Sequence, residues 1–192
     1  MQDPIAISER YKKEADRLLK ETGLIEFLSE FGTVYLSGAY SCGLMMHGDV
    51  DMYVVRDRKY SIEEVFEIFK KLYFKNIFRS YFIGGDWDDP RKGNEFPNGY
   101  YVGLKQKVGD ERWKFDIWFI TKNEFKTLEG KDILKNKVLT DEQKQLILEC
   151  KQYRNNHKLS VESQTIYDSV MNGQCKSLED FKNRFNQKGE VA

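Results

Sequence analysis

The sequence predicts an α+β fold: a mixed β-sheet core with flanking helices and a C-terminal helical region. Three observations carry this. The β-rich, alternating segments all fall within residues 32–120. A strongly amphipathic helix interrupts them after Ser61. From Thr121 onward the pattern is helical. The chain has 192 residues, 40% of them hydrophobic and 14% aromatic, which is enough to bury a real core. The expected division is a core with an N-terminal helix over 1–120 and a helical region over 121–192.

Residues 7–30 read as a helix with Leu18, Leu19, Ile25 and Leu28 as core contacts and Gly32 as its stop. GTVYLSG (32–38) reads as a buried strand, and 39–48 as a turn with one helical turn in it. DVDMYVV (49–55) alternates and reads as a second strand. Ser61 and Glu64 form a capping box, and Val65, Ile68, Phe69, Leu72 and Tyr73 follow on one helical face. The helical aromatics Phe66, Phe69, Tyr73, Phe181 and Phe185 read as core. NIFRSYFI (76–83) reads as a third strand, and 84–99, dense in Gly, Asp and Asn, as a long loop. Residues 100–108 and 111–120 flank Gly109-Asp110 and read as an antiparallel hairpin. Thr121/Glu124 and Thr140/Gln143 are further capping boxes, with helices expected over 140–157, 160–172 and 177–187.

Thirty-one basic side chains balance 31 acidic ones. Zero net charge argues against a protein that coats nucleic acid or an anionic membrane. Cys42, Cys150 and Cys175 are widely spaced and odd in number, so they read as free thiols. The N-terminus lacks an apolar targeting segment and no long apolar run occurs, so a cytoplasmic protein without a membrane span is expected.

Chemistry concentrates in the acids. In 49–55, Asp49, Asp51 and Tyr53 share one strand face, while Val50, Met52 and Val54 share the core face. In 113–120, Phe115, Ile117 and Phe119 take the core face, which turns Asp116 the other way. Two carboxylates about 6 Å apart repel by on the order of 3 kcal/mol at an effective dielectric of about 20. A divalent cation removes that cost, and Mg²⁺ takes carboxylate and phosphate oxygens. Asp49, Asp51 and Asp116 are therefore the candidate metal ligands. Upstream, a strand runs through Ser37 and Gly38 into a turn holding Ser41 and Gly43. Free N–H groups in such a turn suit phosphate oxygens.

A strand ending in glycine, about ten residues, then paired aspartates and one more on a later strand resembles the DNA polymerase beta-like nucleotidyltransferase superfamily. The superfamily includes small antibiotic-modifying and minimal nucleotidyltransferases, and the resemblance spans roughly 32–120. It implies catalytic and metal-binding roles for Asp49, Asp51 and Asp116, one or two Mg²⁺ ions, and an NTP substrate. It implies nucleotide binding at Ser37, Gly38, Ser41 and Gly43. Two positions depart from the pattern: Ala39 stands where the superfamily has serine, and Gly48 where Ser or Thr is usual.

The expected activity is NMP transfer from an NTP to a hydroxyl, with Asp116 also accepting the acceptor's proton. Neutral net charge points to a small-molecule acceptor, antibiotic-like by analogy, and makes nucleic acid unlikely. Two alternatives stay open: a non-catalytic nucleotide- or partner-binding module, which Ala39 favours, and a minimal enzyme acting on a protein or tRNA. His47 adjoins the acids and reads as a turn histidine. Arg91, Lys92, Lys105 and Lys107 are available for phosphate contacts. Trp87, Phe96, Tyr100 and Tyr101 are available for stacking.

Overall fold

The computed structural model describes residues 3–84, 97–131, 134 and 138–185. Helix α1 (Pro4–Thr22) begins at Asp3, whose carboxylate accepts the Ile5 N–H at 3.0 Å. It ends at Gly23, which takes the left-handed conformation with φ 58°. The chain then re-enters a short helix, α2 (Leu24–Ser29). The single helix expected over 7–30 is thus two helices. The apolar series Leu18, Leu19, Leu24, Phe27 and Leu28 stays buried across the break, so periodicity alone could not reveal it.

Strand β1 (Thr33–Ser37), helix α3 (Gly38–Cys42) and strand β2 (Gly48–Arg56) follow. Helix α4 (Ile62–Lys75) carries the full Ser61/Glu64 capping box and stops at Asn76, which adopts φ 52°. That stop delays strand β3 to Ser80–Gly84, later than the sequence pattern suggested. Phe78, within the expected strand, is instead buried against Phe115. Strands β4 (Gly99–Val108) and β5 (Glu111–Thr121) form the expected hairpin, with Gly109 at φ 58°.

The core stripe of α4 is Val65, Ile68 and Leu72. Phe66 and Tyr73, expected in the core, are 53% and 56% exposed. They lie at the edge of the stripe, where their rings meet Phe69 and Tyr81 sideways.

The sheet order is β1-β2-β5-β4-β3. Only β2 and β5 pair in parallel; the other neighbours are antiparallel. Val50, Met52, Val54, Phe115, Ile117 and Phe119 form the buried face beneath α1, α2 and α4. Each such side chain contributes about 1.5–3 kcal/mol of burial.

Helices α5 (Lys122–Lys131), α6 (Asp141–Asn156), α7 (Ser163–Met171) and α8 (Leu178–Phe185) complete the chain. Thr140 and Gln143 form a full capping box at α6. At α5 Thr121 caps the Glu124 N–H, while the Glu124 carboxylate accepts the Asn98 N–H at 3.0 Å. A second apolar cluster joins Ile147, Leu148, Ile166 and Phe181 to Leu44, which lies just before β2. The helical region is therefore fastened to the turn between α3 and β2. Cys42, Cys150 and Cys175 form no disulfide among the described residues, and the last two are buried. Among the described residues, no helix is long and apolar enough to cross a membrane.

Candidate active site

The parallel β2–β5 register sets Asp51 directly beside Asp116. Paired residues share a face, so the two carboxylates lie on the face opposite the core. Asp49 lies one step along β2, beside Lys114. Carboxylate oxygens of Asp49, Asp51 and Asp116 all come within 4.8 Å of one another. The cross-strand row through the acids runs Ser37, Asp51, Asp116, Gly103, Phe82. The next row runs Tyr35, Tyr53, Trp118, Tyr101.

At 4.8 Å, two ionised carboxylates repel by about 3.5 kcal/mol at an effective dielectric of about 20. The site answers with protonation. Burial, then Asp49 and Asp116, push the Asp51 carboxyl up to about 7. Burial likewise raises Asp49. Asp116, 9% exposed, has both oxygens engaged: Tyr101 Oη donates to Oδ1 at 2.6 Å, and Lys114 Nζ pairs with Oδ2. Burial and that bond hold the Tyr101 phenol above its ordinary value. Asp49 Oδ1 is buried with no hydrogen-bond partner among the described residues. An orphaned carboxylate oxygen beside two more carboxylates fits a hard divalent cation, which takes oxygen ligands. Asp49, Asp51 and Asp116 are the residues that would hold it.

Gly38 is dictated twice over. It adopts φ 63°, and a Cβ there would land on Asp51 Oδ2. Ser37, the residue before α3, pairs with Asp51 across the β1–β2 ladder. The structure thus brings Ser37 and Gly38 to the acids. Ser41 lies on α3, its hydroxyl donating to the Gly38 carbonyl at 2.9 Å, and it faces a neighbouring cavity of about 460 Å³ that also touches Ser37. Gly43 closes α3 at φ 67°, and its carbonyl accepts the Ser8 hydroxyl at 2.8 Å.

Both departures from the superfamily pattern have packing causes. Ala39 packs against both apolar clusters. At Gly48 a Cβ would meet the Trp113 ring at 2.6 Å.

Asp49 and Asp51 line a cavity of about 190 Å³ that the helical region completes with Lys151, Ser163, Gln164 and Tyr167. These residues escaped the sequence reading. Lys151 is only 1% exposed; its ammonium donates to the Leu44 carbonyl at 2.6 Å and the Tyr167 hydroxyl at 3.0 Å. Burial pushes it down to about 8. A signal existed: Lys151 stands three and four residues after Leu148 and Ile147, on the apolar stripe of α6. A lysine there has to be buried for a reason.

His47 lies on the exposed turn before β2 and lines the same cavity. His157 is exposed and stacks on Tyr153. Tyr100 is buried, whereas Tyr101 shares the face of the acids. Lys105 and Lys107 are exposed on that same face of β4. Trp87, Arg91, Lys92 and Phe96 lie outside the described residues.

No family model and no curated protein matches the chain in sequence. Solved structures do match in fold. A Cid1 poly(U) polymerase bound to MgATP aligns at 18% identity and TM-score 0.54, over 79% of this chain and 45% of that one. A Cid1 structure described for its RNA terminal uridylyl transferase activity aligns at 16% identity and TM-score 0.51, over 80% and 44%. The GLD-2 poly(A) polymerase in complex with GLD-3 aligns at 9% identity and TM-score 0.57, over 100% and 67%. The chain thus spans less than half the length of the two Cid1 structures. With its five-stranded mixed sheet, flanking helices and acid triad on adjacent central strands, the chain shares the fold of these poly(U) and poly(A) polymerase structures.

Proposed function

We propose that this chain is a nucleotidyltransferase that moves an NMP from an NTP to an acceptor hydroxyl. One observation carries the reading: three carboxylates converge within 4.8 Å, with Asp49 Oδ1 orphaned. Bound there, a divalent cation such as Mg²⁺ supplies charge stabilisation for the triphosphate. Residues 1–120 act as the reaction core, and 121–192 supply Lys151.

The chain's own groups orient the reaction. The turn at Ser37 and Gly38 offers backbone N–H groups to the phosphates, with Ser41 and Gly43 fixing the shape of α3. Lys151 faces the same cavity and clamps the terminal phosphate. The acceptor oxygen attacks the α-phosphorus in line, the bond to the bridging oxygen breaks, and pyrophosphate leaves. Asp116 takes the acceptor's proton once Lys114 has swung off its oxygen.

For the acceptor, the solved neighbours favour the 3′ hydroxyl of an RNA, since they are named for RNA uridylyl transfer and for poly(U) and poly(A) synthesis. The sequence-based expectation of a small-molecule acceptor has no support among them. It rested on net charge, which says nothing of how charge is distributed.

The test is incubation with labelled ATP or UTP, Mg²⁺ and short RNAs, following chain extension and pyrophosphate release. Asp49→Asn should abolish both; extension that persists in this variant defeats the assignment. Lys151→Met keeps the apolar stem and removes the ammonium. It should raise the KM for NTP about tenfold or more, since charged hydrogen bonds contribute about 1.5–3 kcal/mol. An unchanged KM would place Lys151 outside nucleotide binding.

A further inference from the structure

We infer that the β3–β4–β5 side of the site face is a platform for single-stranded RNA, holding the nucleotides just upstream of the acceptor 3′ end. The inference rests on the nucleotidyl-transfer reading and names the surface that the acceptor uses.

Direction comes first. In-line displacement puts the leaving pyrophosphate and the attacking oxygen on opposite sides of the α-phosphorus. Gly38 and Lys151 lie on the β1–β2 and helical side of the acids. The acceptor must then approach over Asp116, from β4 and β3.

That side carries two kinds of surface. Toward the start of β5, Lys105 stands opposite Lys114, and Lys107 opposite Arg112. Like charges facing each other across strands are destabilising. Asp49, Asp51 and Asp116 offset Lys114, but Lys105, Lys107 and Arg112 crowd together beyond their reach. Among the described residues the Lys107 ammonium has only a 3.6 Å pair with the fully exposed Asp110. A polyanion with regularly spaced phosphates balances both rows at once. In the other direction, Phe82 is 54% exposed and lies in the same cross-strand row as Asp116. Its ring is 5.8 Å from Tyr101, whose ring leans over Gly103 toward Asp116. Aromatic faces beside a basic strip are the two elements that single strands use, stacking for bases and cations for phosphates. A duplex has no free base faces to offer, so the platform selects unpaired ends.

The experiment measures anisotropy of a fluorescent single-stranded RNA, with Mg-ATP binding followed by calorimetry on the same proteins. Phe82→Ala, Lys105→Glu and Lys107→Glu all alter exposed positions. Each should weaken RNA binding about fivefold or more, and each lysine change should lower the salt slope by about one. Mg-ATP binding should stay at the wild-type level. RNA binding unchanged in all three variants overturns the platform while leaving the proposed function standing. Equal affinity for duplex and single strand also overturns it. Absence of Mg-ATP binding in the wild type defeats the underlying reading, and the platform falls with it.

Discussion

Asp51→Asn should abolish Mg-NTP binding and, in the same protein, raise stability without metal. The two effects share one cause. Asp51 faces both other acids, and burial with Asp49 and Asp116 holds its carboxyl up to about 7. Its unfolded value is near 3.9. The native state therefore binds this proton more tightly than the unfolded state. Metal-free stability falls as pH rises from about 4 to about 7, then stays low. The shift corresponds to on the order of 4 kcal/mol. Asparagine imitates the protonated form at every pH, so most of that energy returns above neutral pH and none below about pH 4. Cation binding must expel the same proton, so wild-type affinity for Mg²⁺ should climb with pH through neutrality. Urea titrations in chelator at about pH 5 and about pH 8 read the stability arm; calorimetry with Mg-ATP reads the binding arm. Even changes behind a metal's ligands cost 10–100-fold, so losing Asp51 itself should cost at least about 100-fold. A variant no more stable than wild type at the higher pH, or one that still binds Mg-ATP, contradicts the picture.

Gly38→Ala should remove activity while leaving the fold largely intact. Alanine at φ 63° costs about 1–2 kcal/mol in backbone strain. Strain alone would not silence the site, but the new methyl would clash with Asp51 Oδ2. The carboxylate must turn away, and turnover is expected to fall at least about 100-fold, since a displacement near 1 Å costs about that much. Gly23→Ala is the matched control: its φ is 58°, and nothing lies within 4 Å of the added carbon. Both variants should lose similar stability in thermal melts, and only Gly38→Ala should lose nucleotide transfer. Equal activity in the two would mean that the contact with Asp51 is irrelevant.

Much of this was legible in the sequence because it depends on short range. Strand alternation put Asp49, Asp51 and Asp116 off the core face, and capping boxes located α4 and α6. What sequence could not supply was the register between β2 and β5. Whether Asp116 meets Asp51 or misses it depends on long-range packing of Val50, Met52, Phe115 and Ile117, not on any local preference. Lys151 was missed for a related reason. Its place on the apolar stripe of α6 pointed inward, but what it meets there depends on Leu44 and Tyr167, far off in sequence. The break at Gly23 was hidden because the apolar series continues through it. Net charge was a weak guide to the acceptor, since a sum of zero conceals the lysines gathered on β4 and β5.

The parallel pairing of β2 with β5 also makes the complete triad depend on a non-local contact. Two acids are made early on β2, but the third arrives only after α4, β3, β4 and the hairpin turn have been added. Insertion of β5 between β2 and β4 is a non-local closure, slow compared with the hairpins and helices around it. A growing or partly folded chain thus carries an incomplete ligand set, with no third carboxylate to grip a cation. The complete triad exists only once the last central strand is in place, so its assembly is itself a readout that the sheet has closed.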